Sequence, residues 1–266
     1  MNPKLDGKVA IVTGGARGIG RAVTLALVNE NADVAIVSNT SIELARNLAG
    51  EISRTGRRAL AIKADVTKSD EVDRAVEETS RCLGRIDILV NNAGIVKVGP
   101  VMDFSEADWD ATLDVNAKGV FLFSKAVAKY MTSQRKGKIV NIASDSGKTG
   151  EPLFAAYSAS KFAVVGFTQA FALEMAPYNI NVNAVCPCYV ETEMLEYTAK
   201  IFSALESVSL DEIKRRRLTE IPLGRMAAPE DIARAVVFLA SDDSAFITGQ
   251  SINVTGGGAK KFCVGE

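Results

Sequence analysis

The sequence contains no histidine in its 266 residues. Histidine is the side chain that most readily exchanges protons near neutral pH, so any acid–base chemistry must depend on other groups. Cysteine is scarce: the four are Cys82, Cys186, Cys188 and Cys263. With no histidine and no second cysteine pair at ligand spacing, this set argues against a zinc site, and we expect no bound metal.

Long runs of one chemical character are also missing. No stretch reaches the roughly 18 consecutive apolar residues of a membrane helix, and the N-terminus lacks the pattern of a secretory signal. We therefore expect a cytoplasmic protein with reduced thiols. The net charge is −1, and the basic cluster KRRRL at 214–218 has the spacing of a solvent-exposed helix face. These features predict no nucleic-acid partner and no membrane partner.

Short β-branched runs alternate with amphipathic segments along the chain. The runs lie at 8–13, 33–38, 58–63, 86–91, 137–143, 179–185 and 251–255. This alternation predicts an α/β fold, with a doubly wound parallel sheet and helices on both faces. No Pro- or Gly-rich linker divides the chain, so we predict a single domain over residues 1–266. The long irregular stretch after Cys186 is expected to form a substrate-binding lid at about 188–228.

The turn after the first run carries the clearest local chemistry. TGGARGIG follows a predicted strand and opens a predicted helix. Gly14, Gly18 and Gly20 let the backbone turn tightly and approach a pyrophosphate. The N-terminus of the helix points N–H groups and the positive end of its dipole at the same place. The pattern therefore predicts a dinucleotide site.

Further motifs extend this pattern over nearly the whole chain. They are NNAG (91–94), DVNAKG (114–119), IVNIAS (139–144), YSASK (157–161), NVNAVCP (181–187) and GQSINVTGG (249–257). With these motifs, the sequence resembles the short-chain dehydrogenase/reductase family. The resemblance implies a seven-stranded Rossmann sheet and a nicotinamide cofactor. It also implies a catalytic set of Asn116, Ser144, Tyr157 and Lys161.

Tyr157 can replace histidine only if its environment lowers its pKa. Lys161 lies four residues later, on the same face of a helix. Lowering a tyrosine pKa from about 10 to about 7 requires roughly 4 kcal/mol. A lysine ammonium about 4 Å from the phenolate oxygen supplies about this much free energy at an effective dielectric constant of ~20. The positive charge of an oxidised nicotinamide would lower the pKa further. We expect Tyr157 to be the general acid and base. Ser144 would orient the reacting oxygen, and Asn116 would hold a water that links Lys161 to solvent.

The resemblance also implies residues that contact the cofactor. Asp65 and Val66 would lie beside the adenine, and Asn92 with its neighbours would form a wall near the adenine ribose, although a purely structural role for Asn92 is equally open. The full expected set is Gly14, Arg17, Gly18, Ile19, Gly20, Ser38, Asn39, Asp65, Val66, Asn92, Ala93, Gly94, Tyr157, Lys161, Pro187, Val190 and Thr192.

The expected substrate pocket departs from the family pattern at one position. The family usually has glycine after Pro187, where this chain has Cys188, whose side chain would narrow or reshape the pocket. The full expected set is Ser144, Ser146, Glu151, Phe154, Tyr157, Cys188 and Tyr189.

The segments SDSGKTGEP (144–152) and GQSINVTGG (249–257) resemble the polyol and sugar-alcohol branch of the family. Polar side chains such as Ser146, Lys148 and Glu151 could bind hydroxyls, so the favoured substrate is a small secondary alcohol or ketone, such as a polyol or sugar. The alternatives are a 3-oxoacyl-thioester (acyl-carrier-protein) reductase, a small diketone reductase, and a non-enzymatic nucleotide-binding sensor or scaffold.

Two further expectations concern the cofactor and assembly. Ser38 stands where NAD-selective dinucleotide folds place an acid. Arg17, within the glycine-rich turn, could reach a 2′-phosphate, and Ser38, Asn39 and Thr40 could donate hydrogen bonds to it. We therefore expect NADP to be favoured over NAD. The apolar stretches 120–131 and 162–175, together with the resemblance, predict a homotetramer, with the C-terminal segment at a second interface.

Overall fold

A seven-stranded parallel sheet forms the centre of the molecule. The computed structural model describes residues 3–258, so Cys263 and the C-terminal segment expected at a second interface lie outside the described residues. The strands are β1 (Val9–Thr13), β2 (Asp33–Ser38), β3 (Ala59–Lys63), β4 (Ile88–Asn91), β5 (Gly137–Ile142), β6 (Ile180–Pro187) and β7 (Ser251–Val254). Their spatial order is β3-β2-β1-β4-β5-β6-β7. This confirms the doubly wound α/β fold predicted from the sequence.

Helices cover both faces of the sheet. They are α1 (Gly18–Asn29), α2 (Ile42–Ser53), α3 (Ser69–Leu83), α4 (Glu106–Leu113), α5 (Gly119–Gln134), α6 (Ala155–Met175), α7 (Glu193–Glu206), α8 (Leu210–Thr219) and α9 (Pro229–Ala240). Val12 of β1 packs in one core with apolar residues of α1, α2 and α9, whereas Ile11 packs in a second core with those of α3, α5 and α6. Because successive strand residues point to opposite faces, a sheet covered twice needs strands that are apolar throughout. Within residues 3–258, no helix combines the length and apolar character needed to cross a bilayer.

The strand order reverses between β1 and β4. From β1 the chain adds β2 and β3 on one side, and then returns to add β4 to β7 on the other. The loops that leave β1 and β4 therefore diverge and open a crevice at the carboxyl ends of these strands. In open α/β sheets this is the place where ligands bind.

A row of hydrogen-bonded polar side chains crosses the apolar core. Asn91 of β4 donates from Nδ2 to Asn141 Oδ1 of β5 at 2.8 Å and to Ser124 Oγ of α5 at 3.1 Å. Asn141 in turn donates from Nδ2 to Thr168 Oγ1 of α6 at 2.9 Å. All four residues are buried. The row links the two central strands to the helices on one face of the sheet.

The stretch predicted to be irregular contains two helices. Helix α7 begins after Thr192, whose Oγ1 accepts a hydrogen bond from the Leu195 N–H, and α8 begins after Ser209, whose Oγ accepts from the Glu212 N–H. A side-chain cap of this kind satisfies N–H groups that have no partner inside the helix. Only weak helical spacing and the helix-face pattern of KRRRL indicated these helices in the sequence, because their caps, and no long apolar period, mark them.

Candidate active site

A cavity of about 650 Å³ opens at the carboxyl ends of the strands, at the switch point between β1 and β4. Every residue predicted to contact the cofactor or the substrate lines it, and so do three of the four predicted catalytic residues. The lining residues among these are Gly14, Arg17, Gly18, Ile19, Gly20, Ser38, Asn39, Asp65, Val66, Asn92, Ala93, Gly94, Ser144, Ser146, Glu151, Phe154, Tyr157, Lys161, Pro187, Cys188, Tyr189, Val190 and Thr192. The fourth, Asn116, is fully buried and lies outside the lining.

The glycine-rich turn packs so closely on helix α1 that side chains would not fit. Gly14 has a φ of +62°, a conformation that favours glycine. A Cβ at Gly20 would lie 2.2 Å from the Gly14 carbonyl oxygen and 2.5 Å from Asn92 Nδ2, far inside van der Waals contact. The N-terminal N–H groups of α1 therefore lie directly against the turn, where they can bind an anion. This cradle fits the pyrophosphate of a dinucleotide.

Asn92 holds the glycine-rich turn in place. Its Nδ2 donates to the carbonyl oxygens of Thr13 at 3.0 Å and of Gly14 at 3.1 Å. The backbone N–H groups of Asn92 and Ala93 both donate to Thr13 Oγ1 at 3.0 Å. These bonds tie the end of β4 to the end of β1. Asn92 thus has the structural role that the sequence left open, while its backbone still lines the cavity.

The cavity ends in polar groups at the carboxyl end of β2. Ser38 is buried, whereas Asn39 is exposed. The Asp65 carboxylate accepts hydrogen bonds from the N–H and hydroxyl of Thr67 at 2.9 and 2.8 Å, and so closes its own turn. Arg17 donates from Nη1 to Glu193 Oε2 at 3.1 Å, between two exposed side chains. This pair joins the glycine-rich turn to the first residue of α7.

The proton-carrying side chains predicted from the sequence come together in the cavity. Tyr157 and Lys161 lie one turn apart on α6, and Ser144 follows β5. The Ser144 hydroxyl makes a hydrogen bond with Tyr157 and donates to Asp145 Oδ1 at 3.0 Å. Lys161 Nζ donates to the Ile142 carbonyl oxygen at 2.8 Å and lies 5.7 Å from the centre of the Tyr157 ring.

Burial dominates the proton affinities of this pair. It raises the pKa of Tyr157 to about 12, assisted by the negative charges of Asp145 and Glu151 and opposed by the hydrogen bond with Ser144. Burial also lowers the pKa of Lys161 to about 8. The pKa of Tyr157 therefore shifts upward in the protein without a nicotinamide, and the lowered pKa expected with the oxidised cofactor bound stays a prediction. The sequence argument counted the charge of the lysine and left out the free energy of removing a phenolate from water.

Asn116 lies in a single π-helical turn, Asp114–Lys118, between α4 and α5. Its side chain bonds both backbone groups of Ile95, at 2.8 and 2.9 Å, and donates to Ser160 Oγ at 3.0 Å. A Cβ built on Gly94 would lie 3.3 Å from Asn116 Oδ1 and 3.7 Å from Lys161 Nζ. The amide and the ammonium therefore border the same small space. Turns of this kind within helices occur frequently at functional sites.

The substrate end of the cavity combines polar and aromatic side chains. Ser146 Oγ donates to Glu151 Oε2 at 3.3 Å, and Cys188 Sγ donates to the Thr255 carbonyl oxygen at 3.4 Å. Phe154 lies edge-on to Tyr157, with ring centres 6.1 Å apart. The thiol of Cys188 thus occupies space at the cavity wall that a glycine would leave open.

Arg217 is one of the cavity-lining residues that the sequence did not predict. The cluster KRRRL was expected to be a solvent-exposed helix face, and this holds for Arg215 and Arg216 but not for Arg217, which is buried and lines the cavity. A signal was available in the sequence. Arg217 lies four residues after the buried Ile213, and residues with this spacing share one face of a helix.

Comparison with known proteins gives the class. Residues 8–200 match the family model described as short chain dehydrogenase. The chain is 41% identical over 254 residues to the 3-oxoacyl-(acyl-carrier-protein) reductase FabG of Thermotoga maritima, covering 96% of this chain and 98% of that protein. The crystal structure of NAD+-bound xylitol dehydrogenase is similar, with 34% identity and a TM-score of 0.92, covering 96% of this chain and 100% of that chain. The crystal structure of levodione reductase is also similar, with 31% identity and a TM-score of 0.91, covering 97% of this chain and 100% of that chain.

The chain therefore belongs to the short-chain dehydrogenase/reductase family. It is an NAD(P)-dependent oxidoreductase that acts on CH–OH groups and takes a small-molecule substrate. This identification rules against the non-enzymatic sensor or scaffold that the sequence left as an alternative. The polyol, the thioester and the diketone remain as candidate substrates.

Proposed function

We propose that this protein reduces 3-oxoacyl thioesters to 3-hydroxyacyl thioesters, with the acyl group carried by an acyl carrier protein. The observation that carries this proposal is the 41% identity, along nearly the full length of both chains, to a protein named for this activity. The sequence favoured a polyol or sugar and kept the thioester as the alternative. The comparisons reverse that order.

The walls of the cavity support an acyl substrate. Apolar side chains form part of the lining, among them Val96, Met194 and Phe154, and Phe154 contacts the ring of Tyr157. A polyol carries a hydroxyl on every carbon, and burying a hydroxyl without a hydrogen-bond partner costs about 1–3 kcal/mol. An acyl chain carries no such groups beyond its carbonyls. Ser146 and Glu151, which are hydrogen-bonded to each other, are the observation that favours a polyol as the second candidate.

The proposed mechanism assigns one task to each predicted catalytic residue. A reduced nicotinamide, when bound in this cavity, would supply the hydride. Tyr157 donates the proton to the reacting oxygen, and its raised pKa keeps it in the protonated form that reduction requires. Ser144 holds the same oxygen by a hydrogen bond. Lys161 orients the ribose and returns a proton to Tyr157 through the space that it shares with the Asn116 amide.

The deciding experiment compares two substrates with the purified enzyme, followed at the absorbance band of reduced nicotinamide. S-acetoacetyl-N-acetylcysteamine tests the thioester, and xylitol tests the polyol in the opposite direction. We expect kcat/KM for the thioester to exceed that for xylitol by about 100-fold or more, since xylitol hydroxyls that meet the apolar part of the wall lose their hydrogen bonds to water. Xylitol turnover within about tenfold of the thioester would contradict the proposal.

The proposal includes NADP as the preferred cofactor. The supporting observation is that Ser38, which is uncharged, lines the end of the cavity where an acid would repel a 2′-phosphate. Arg17 and Asn39 line the same end of the cavity. Arg17 would release its hydrogen bond to Glu193 and bind the 2′-phosphate instead. Measuring kcat/KM with both cofactors tests this, and Ser38→Asp should reverse the preference. A wild type that favours NAD by about tenfold would contradict it.

We further propose that α7 and α8 act as the lid predicted at about 188–228. Five residues of α7 and Arg217 of α8 line the cavity. Deleting a lid would expose the reacting carbonyl to water. Limited proteolysis with and without NADPH and a product thioester tests this role. We expect cleavage within this stretch to slow when both are bound, and equal rates would contradict the proposal.

We also propose that the protein forms a homotetramer. Helices α5 and α6 carry exposed apolar side chains, including Phe121, Phe162 and Leu173, with exposed fractions of 45%, 46% and 77%. Such side chains on a helix face are typical of a covered surface. Sedimentation velocity at micromolar concentration should show a tetramer, and Phe162→Glu together with Leu173→Glu should dissociate it. A wild-type monomer would contradict the assignment.

A further inference from the structure

Helix α8 carries three consecutive arginines that have different surroundings. Arg215 and Arg216 are exposed, and both pair with Glu212 on the same helix. Arg217 points away from these two and lines the cavity, with only 7% of its surface exposed. The difference follows from the helix, which turns about 100° per residue. One arginine of the cluster is thereby removed from solvent and placed where the substrate binds.

The Arg217 guanidinium is held by neutral groups. Nη1 donates to the Leu195 carbonyl oxygen at 3.0 Å, and Nη2 donates to Thr198 Oγ1 at 3.1 Å. Its Cζ lies 5.3 Å from the centre of the Tyr189 ring and 5.7 Å from that of Phe202. Within residues 3–258, no carboxylate lies within 4 Å of it. A guanidinium has five N–H donors, so these two contacts leave donors for a ligand.

A row of aromatic rings connects Arg217 to the reacting tyrosine. The Tyr157 ring contacts Phe154, which stacks on Phe202 with ring centres 5.6 Å apart, and Phe202 contacts Arg217. The charge of Glu151 acts on both Tyr157 and Arg217, so the two ends of the row lie within electrostatic range of one carboxylate. Tyr157, Phe154 and Arg217 all line the cavity, so one bound substrate can contact both Tyr157 and the guanidinium.

The charges around Arg217 select the kind of group it would bind. Glu151 and Glu220 both act on the guanidinium and favour its charged form, against the effect of burial. Glu220 also accepts a hydrogen bond from the Tyr189 hydroxyl at 2.9 Å. A further carboxylate on the substrate would be repelled by both. A neutral carbonyl oxygen accepts the N–H donors without that repulsion.

We propose that Arg217 is a specificity-determining residue that donates a hydrogen bond to a second, neutral carbonyl of the substrate, while Tyr157 and Ser144 bind the carbonyl that is reduced. The proposal rests on the thioester reductase function above and deepens it. The second carbonyl is that of the thioester or of the amide that follows it in a pantetheine-like arm. A ketone without a second carbonyl would leave these donors unpaired.

The test uses two substrates with the same methyl-ketone end and the same chain length. S-acetoacetyl-N-acetylcysteamine has further carbonyls, and 2-decanone has none. In Arg217→Met, kcat/KM should fall by about 10–100-fold for the thioester, mainly through KM, because a hydrogen bond from a charged donor is lost. For 2-decanone it should change by less than about threefold. Arg217→Lys, which keeps the charge but loses the planar fork, should lie between.

The matched control is Arg216→Met, which removes an exposed arginine from the same helix. It should leave kcat/KM unchanged for both substrates. The dissociation constant of NADPH and the melting temperature report whether each variant folds. Equal losses for both substrates in Arg217→Met and Arg217→Lys would show that Arg217 only braces α8 against α7, and would overturn the inference. A wild-type enzyme that does not reduce the thioester would instead overturn the proposed function. The two failures are distinguishable, because the first is measured on the variants and the second on the wild type.

Discussion

Replacing Lys161 with methionine should change the way in which the free energy of unfolding depends on pH. Lys161 is 4% exposed, and burial lowers its pKa from the ordinary value of 10.5 to about 8. Between these two pH values the unfolded chain binds a proton on this lysine and the folded protein does not. Stability must therefore rise with pH across this window, since the unfolded state binds more protons.

The size of the effect follows from the width of the window. Each pH unit between the two pKa values changes the free energy of unfolding by about 1.4 kcal/mol, which gives about 3 kcal/mol in total and about 2 kcal/mol between pH 8 and 9.5. Tyr157 acts in the opposite direction, because its raised pKa lets the folded protein keep a proton that the unfolded chain loses, but only above its ordinary value of 10. Measurements that stop at pH 9.5 separate the two residues.

The assay is urea denaturation of wild type and Lys161→Met at fixed protein concentration, at pH 7.5 and 9.5. Wild type should gain about 2 kcal/mol relative to the variant over this range. Lys200→Met, which removes an exposed lysine of α7, is the matched control. Its free energy of unfolding should change with pH as that of the wild type does. Parallel profiles for wild type and Lys161→Met would show that burial does not suppress the charge of Lys161, and the reasoning would be refuted.

Three further changes probe other parts of the molecule. Tyr157→Phe should lower kcat by about 10²–10⁴-fold with little change in NADPH affinity, because the ring keeps its contact with Phe154; more than about a tenth of wild-type kcat would remove Tyr157 from its role. Gly20→Ala should abolish NADPH binding measured by fluorescence titration, since its Cβ would lie 2.2 Å from the Gly14 carbonyl oxygen, and an unchanged affinity would contradict this. Asn141→Ala should lower the free energy of unfolding by about 1–3 kcal/mol, because it removes the two buried hydrogen bonds with Asn91 and Thr168. Urea denaturation checks it, and a loss below about 0.5 kcal/mol would disagree.

The fold could be predicted from the sequence because its determinants are local. Each strand is a short apolar run, and the glycine-rich turn carries its own conformational requirements. The arrangement of the sheet then follows from general rules for alternating strands and helices. The grouping of Tyr157, Lys161 and Ser144 came from the resemblance, and the structure brings them together. Cytoplasmic localisation stays a prediction.

The features that the sequence did not reveal depend on tertiary packing. Whether Arg217 faces solvent or the cavity is decided by how α8 docks against α7, and the charge pattern of KRRRL is the same in either case. The pKa of Tyr157 depends on how completely its hydroxyl is removed from water, which no spacing of residues can report. The bonds of the Asn116 amide depend on a π-helical turn that its sequence does not distinguish from an ordinary helix.

The buried polar row also protects the active site from errors in strand pairing. Asn91 lies directly opposite Asn141 in the sheet. Sliding β4 past β5 by one residue would turn the Asn91 amide to the other face, among apolar side chains, and leave Ser124 and Asn141 without this partner. Gly94 and Ser144 each follow their asparagine by three residues. Correct pairing of the two asparagines therefore also fixes the relative position of these two site residues. The register of the sheet and the alignment of the site are set in the same folding step.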